Sequence, residues 1–224
     1  MRVRDIMTTT VVTATIATTF QELVDLMIRY GVSGIPIVDG DGRPVGIVTE
    51  ADIIAKEAYR SFMFRPPDRS IGQQENTWAA KSRGLRAGDL MTVPTRTIHR
   101  DDLVRMAADK IITIGVNRFP VVDDTGRLVG IVSRNDVLRI FHRSDDEIRL
   151  AVDATLADPL LVPEGHAITA TVDGGVVTLE GSVRLASHVR LVNHTIHDVP
   201  GVVDVVNHLA VADAVAVPAA TAEA

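Results

Sequence analysis

Between residues 18 and 30 the apolar side chains Phe20, Leu23, Val24, Met27 and Ile28 recur at helical spacing, and Thr18 and Gln21 stand three apart as in a capping box. Gly31 follows as the residue type that ends such a helix. Before the helix, "VVTAT" (11–15) reads as a short strand. After it, "GIPIVD" and "PVGIVT" are two β-rich runs separated by "GDGR", a Gly/Asp turn that predicts an antiparallel hairpin. Thr49 then stands where an N-cap belongs, ahead of a predicted helix over 50–57. The order is β-α-β-β-α.

The same order is written a second time. Laid over residues 89–138 at a fixed offset of 84, residues 5–54 are identical at 18 of 50 positions, without a gap. Chance would give roughly three matches at ordinary residue frequencies, so the chain carries an internal duplication. The matches include Met7/Met91, Thr13/Thr97, Gly31/Gly115, Pro36/Pro120, Asp39/Asp123, Gly46/Gly130 and Asp52/Asp136. A unit of about 55 residues with one apolar sheet face and two amphipathic helices is marginal alone, and two copies packed face to face bury what each leaves exposed.

The pattern changes past residue 144. A helical stretch near 145–156 precedes "ITATVDGGVVTLEGSV", two alternating strands around a "DGG" turn; a helix near 186–199 and "GVVDVVNHLAV" complete an α-β-β-α-β order. The fold class is α+β. The expected organisation is repeat one at 1–58, a linker at 59–86, repeat two at 87–144, a small third domain at 145–213 and a disordered Ala-rich tail at 214–224.

Two families carry these patterns. The run "GVxxxPIVDxxGRPVGIVTxxD" and its second copy resemble the cystathionine-β-synthase (CBS) domain, and the tandem pair resembles a Bateman module over about 3–58 and 87–142. The strand "GVVTLEGSV" (175–183) and the ending "VPGVVDVVNHL" (199–209) resemble the BON domain, over roughly 146–213. The first resemblance implies a pseudo-two-fold pair of repeats with an adenosine-binding cleft between them, and assembly as a disc-like homodimer. BON domains elsewhere are linked with phospholipid surfaces or protein partners.

The hydroxyl and carboxylate repeated as Thr49/Asp52 and Ser133/Asp136 admit two readings. As structure, the hydroxyls cap helices and the carboxylates complement the positive end of the helix dipole. As a site, a strand ending at a helix N-terminus offers free amides to an anion, and a carboxylate one turn in accepts hydrogen bonds from ribose hydroxyls. The resemblance implies the second use: Thr49, Asp52, Ser133 and Asp136 as polar contacts, with Val32, Ile35, Pro36, Val116, Asn117, Phe119 and Pro120 around the base, and Thr13 and Thr97 as further contacts. The copies differ at one telling position. Copy two, "VNRFP", has Arg118 where nucleotide-sensing relatives carry a phosphate-binding arginine, and copy one, "VSGIP", has Gly34. Only Arg118 offers a planar, permanently charged donor fork.

Composition narrows the chemistry. With no cysteine among 224 residues, disulfides, thiolate catalysis and Cys-ligated metals are excluded. No Walker A, GxGxxG, HExxH or GxSxG sequence occurs, and nothing nominates a nucleophile with its base. The expectation is a non-enzymatic protein with no required cofactor. "DGDGRPVGIVTE" (39–50) superficially suggests a calcium loop, but Arg43 takes a ligand position and Pro44 replaces the required Gly. His188, His194 and His197 read as solvated helix histidines rather than metal ligands.

Net charge is -6, unevenly spread: residues 1–144 hold 20 basic and 17 acidic side chains, and residues 145–214 hold 3 and 11. That acidity argues against nucleic acid or an anionic lipid surface as a Coulombic partner of the third domain. The linker is locally basic, with Tyr59, Phe62, Phe64 and Trp78 interleaved; these aromatics read as packing groups, with single-stranded nucleic acid as the alternative. "MRVRDIMTTT" shows no apolar stretch behind its charges and no run approaches the roughly 18 apolar residues of a membrane span, which leads to a cytoplasmic expectation. Together these readings give a homodimeric regulatory module that binds AMP, ADP, ATP or S-adenosylmethionine and relays occupancy to the BON domain. A ligand-free dimeric scaffold is the alternative.

Overall fold

The computed structural model describes residues 1–59, 77, 80–162 and 167–211. The predicted tail at 214–224 and the aromatic side chains of Phe62, Phe64 and Trp78 lie outside the described residues. The chain divides into two compact units, Arg2–Asp136 and a second from Val137 onward.

In the first unit, repeat one comprises α1 (Phe20–Tyr30), β1 (Gly34–Val38), β2 (Pro44–Thr49) and α2 (Glu50–Ala58). After the short helix α3 (Ala87–Leu90), repeat two comprises β3 (Ile98–His99), α4 (Val104–Ile114), β4 (Arg118–Val122), β5 (Leu128–Ser133) and α5 (Arg134–Leu138). Strands β1 and β2 pair antiparallel, as do β4 and β5, and both hairpins shift register at the same place, Ile37/Val38 and Val121/Val122. Asp39 and Asp123 close the two turns by accepting backbone N–H bonds from Arg43 and Arg127 at 2.8 and 3.0 Å. Gly31 and Gly115 end α1 and α4 in the left-handed conformation, at φ 61° and 73°.

Two local expectations shift. The capping box of α1 is Thr19/Glu22 and not Thr18/Gln21: Thr19 N–H donates to Glu22 Oε2 at 2.8 Å, while the Thr18 hydroxyl accepts from Thr15 N–H at 3.0 Å. A carboxylate at this position also complements the helix dipole, which a neutral Gln does not. The expected strand 11–15 contracts to one parallel bridge, Ala14 to Ile37, whereas its counterpart β3 pairs both Ile98 and His99 with β4. In repeat two the pairing is carried further by Arg100 N–H, which donates to the Val122 carbonyl at 3.0 Å.

The repeats exchange their leading segments. Thr8 bridges to Ile131 of β5, and Thr92 bridges reciprocally to Ile47 of β2. Met7 lies over Gly130, and Met91 over Gly46, where a Cβ on either glycine would overlap the thioether side chain. The duplicated Met and Gly therefore serve one contact, made twice across the pseudo-dyad. Leu23, Met27, Ile35, Ile37 and Val48 form the core of repeat one, joined by Ala87 and Leu90 of α3; Ile98, Val104, Ala107, Ile111, Phe119, Val121 and Val132 are buried apolar residues of repeat two.

The second unit comprises α6 (Asp145–Leu156), β6 (Ile168–Asp173), β7 (Val176–Val183), α7 (Ala186–His197) and β8 (Asp204–Val211). Its sheet runs β6-β7-β8, antiparallel and then parallel. Ile148, Val152, Val177, Leu179, Val192 and Ile196 bury the helices against it. Gly174 and Gly175 take positive φ at the hairpin turn, and Asp145 at the start of α6 accepts both their N–H groups at 2.9 Å. No helix among the described residues is long and apolar enough to cross a membrane.

Candidate functional site

A cleft of about 540 Å³ opens between the two repeats of the first unit. Repeat one contributes Ser33 ahead of β1, Thr49 at the end of β2, and Glu50, Ala51, Asp52 and Ile54 of α2. Repeat two contributes Thr92, Pro94 and Arg96 from its leading segment, and Gly115, Val116, Asn117, Arg118 and Pro120 from the turn into β4. Its volume lies in the range of small-molecule sites. The cleft is thus a hybrid: the hydroxyl and carboxylate of one copy face the "VNRFP" segment of the other.

Asp52 is 1% exposed. Its Oδ2 accepts Thr49 N–H at 2.7 Å and the Thr49 hydroxyl at 2.8 Å, so the carboxylate ties the strand end to the first turn of α2. Its Oδ1 accepts Lys81 Nζ at 2.5 Å, and the same ammonium donates to Thr92 Oγ1 at 2.8 Å. Repeat two makes the equivalent cap: Asp136 Oδ2 accepts Ser133 N–H at 2.8 Å and the Ser133 hydroxyl at 2.6 Å, and Asp136 N–H returns a bond to that hydroxyl at 3.4 Å. The structural use of both motifs is therefore present.

Arg118 opens β4 and reaches across to repeat one, where Nη2 donates to Ser33 Oγ at 2.5 Å. Its Nε is buried and has no hydrogen-bond partner among the described residues. Desolvation pulls the guanidinium below its ordinary pKa, and the charge of Glu50 opposes that pull. An arginine so placed remains a cation and holds an unused donor.

Of the residues expected from sequence, Thr49, Asp52, Val116, Asn117, Arg118 and Pro120 line this cleft together. Ser133 and Asp136 sit at the pseudo-equivalent strand end of repeat two, outside it. Ile35 and Phe119 are fully buried, so their side chains are core groups and only their backbone is left for a base. Val32 packs against the core of repeat one, Pro36 is buried in β1, and Thr13 and Thr97 are outside the lining. Sequence reasoning missed Ser33, Glu50, Thr92, Arg96 and Lys81. Of these, Glu50 alone carried a signal, as the charge-reversed counterpart of Arg134 at the offset of 84. Among the described residues no cluster of three or more His, Asp or Glu side chains is arranged to hold a metal.

Comparison with known proteins bears on this geometry. The CBS domain model matches residues 3–59 and 87–143, and the BON domain model matches residues 144–213. The CBS domain-containing protein CBSX1, chloroplastic, of Arabidopsis thaliana is 30% identical over 131 residues, 54% of this chain and 55% of its own length. This chain thus spans little more than half of that relative. The CBS domain pair of protein MJ0100, solved in complex with 5′-methylthioadenosine and S-adenosyl-L-methionine, is 29% identical with a TM-score of 0.50, over 63% of this chain and 96% of that one. CBSX2 in complex with AMP is 26% identical with a TM-score of 0.53, over 62% and 94%.

Proposed function

Because the chain belongs to the CBS domain family, as a tandem pair followed by a BON domain, we propose that the pair binds an adenosine-containing ligand, one of AMP, ADP, ATP or S-adenosylmethionine, in the inter-repeat cleft. The BON domain then receives the signal, and the protein regulates rather than catalyses. One observation carries this reading: the cleft brings an acceptor pair, Thr49 and Asp52, opposite a segment ending in a guanidinium with a buried, unused N–H. Ribose hydroxyls need the first and a phosphate needs the second. The structures of related pairs with AMP and with S-adenosylmethionine support the choice of ligand class.

Ligand occupancy alters the second unit only if the ligand prefers one of two arrangements of the protein. The connection "FHRSDDEI" is the route proposed, and equal behaviour of the BON domain in empty and saturated protein would dispose of it. The protein acts as a homodimer in this reading. Ile28 and Ile112, equivalent in the two repeats, are 77% and 79% exposed, which supports a helix face that a second copy covers.

The deciding experiment is thermal melting of dialysed protein with each of the four ligands, beside Asp52→Ala and Asp136→Ala. Ligand at 100 times its dissociation constant adds about 2.7 kcal/mol, a rise of roughly 5–10 °C for a chain of this size. A rise that Asp52→Ala abolishes assigns the cleft. A second reading, a ligand-free dimeric scaffold, is favoured by the engagement of Asp52 with Thr49 and Lys81 as a structural group. No rise with any ligand selects it.

A further inference from the structure

Lys81 lies outside both repeats in sequence, yet it holds the two walls of the cleft. Its Nζ donates to Asp52 of repeat one at 2.5 Å and to Thr92 of repeat two at 2.8 Å, and both of these partners line the cleft. The Asp52 side chain is 1% exposed and that of Lys81 11%, so water screens the pair little. We infer that Lys81 sets the charge preference of this cleft, turning it toward a phosphorylated nucleoside and away from a cationic ligand such as a sulfonium. This deepens the adenosine reading above and rests on it.

A buried carboxylate at the wall of a cleft repels a phosphate and attracts a cation. Paired with Lys81, Asp52 contributes no net charge. Among the described residues the lining then carries Arg96 and Arg118 against Glu50, a balance of one positive charge; with Lys81 removed, Asp52 brings that balance to zero. Lys81 leaves hydroxyl recognition in place. A carboxylate has about four lone-pair positions, and Thr49 and Lys81 take three, leaving one for a ribose hydroxyl. Lys81 is therefore a positioning residue that acts through Asp52, and it leaves the donors of Arg118 for the anion.

The test is calorimetric binding of AMP, adenosine and S-adenosylmethionine to dialysed full-length protein, wild type and Lys81→Met. Wild type should prefer AMP over S-adenosylmethionine, and Lys81→Met should lower that preference by about tenfold or more, with adenosine changed least. Lys81→Arg, which keeps the charge, should restore the preference. The double variant Asp52→Asn/Lys81→Met removes both charges and leaves neither partner buried alone. It should weaken all three ligands but return the AMP to S-adenosylmethionine ratio to within about threefold of wild type. A role confined to holding the fold would scale the three affinities together, and that result, or a wild-type preference for S-adenosylmethionine, overturns the inference while the adenosine reading stands. Binding of none of the three by wild type overturns both.

Discussion

Gly34 and Arg118 are equivalent positions of the two repeats, and they lie against each other. A Cβ placed on Gly34 would stand 2.7 Å from Arg118 Nη1 and 2.8 Å from its Cδ. The two positions thus meet at the pseudo-dyad, where there is room for one long side chain. Two arginines would compete for the same space and repel each other. The Gly/Arg difference between the copies is a matched pair, and it directs the one guanidinium toward Ser33 and the cleft.

Gly34→Ala should therefore act through Arg118. The added methyl pushes the guanidinium off Ser33 at small cost in stability, because the far end of a flexible side chain can yield. Arg118→Met removes the charge outright. Each variant should weaken AMP, Arg118→Met by about tenfold or more, while adenosine affinity stays within about twofold. Titration with the two ligands checks it; an equal loss for both would take Arg118 out of phosphate recognition.

The exchanged leading segments make a second prediction. A Cβ on Gly130 would stand 2.5 Å from Met7 Sδ and 3.1 Å from the Thr8 carbonyl oxygen. That oxygen is held by Ile131 N–H at 2.9 Å and has little room to retreat. Gly130→Ala should destabilise the first unit by about 1–3 kcal/mol through overpacking. Met7→Ala on the same background opens space for the methyl and should recover part of the loss, which denaturant titration of the two variants would show.

Much of this architecture was legible because the chain states it twice. The hairpins, the glycine ends of α1 and α4, and the caps at Asp52 and Asp136 depend on contacts within a few residues, so local pattern suffices. The shortened first strand was not legible, since the extent of this strand turns on a backbone bond between distant segments, in repeat two that of Arg100 N–H to the Val122 carbonyl. Lys81 was hidden for the same reason. It belongs to no period or repeat, and its partner Asp52 stands 29 residues earlier. The hybrid character of the cleft was legible only in outline: the resemblance placed a site between the repeats, and the folded pair adds that Asp52 of one stands opposite Arg118 of the other.

Acid should loosen both units through their capping carboxylates. Thr19 N–H and hydroxyl hold Glu22 below its ordinary pKa, the N–H groups of Leu85 and Arg86 do so for Asp89, the Thr125 hydroxyl for Asp123, and Ser144 for Glu147. A carboxylate whose pKa is depressed on folding stabilises the protein above its unfolded value, and that contribution is lost as pH falls through the folded value. The melting temperature should be flat near neutrality and should fall below about pH 4. Glu22→Gln should lower it at pH 7 and flatten the acid limb; an acid limb of unchanged slope would remove Glu22 from the linkage.

The last prediction concerns assembly. Ile28 near the end of α1 and Ile112 near the end of α4 are identical at the offset of 84, and both face outward although a lone exposed isoleucine gains nothing from solvent. Apolar residues kept at matched outward positions in both copies are what a homodimer built from both repeats requires, because its interface must be supplied twice. Ile28→Glu/Ile112→Glu places two carboxylates in that interface and should convert a dimer to a monomer in sedimentation equilibrium, with the far-ultraviolet circular dichroism unchanged. A dimer that survives the double variant would take those helix faces out of the contact, and a monomeric wild type would remove the homodimer itself.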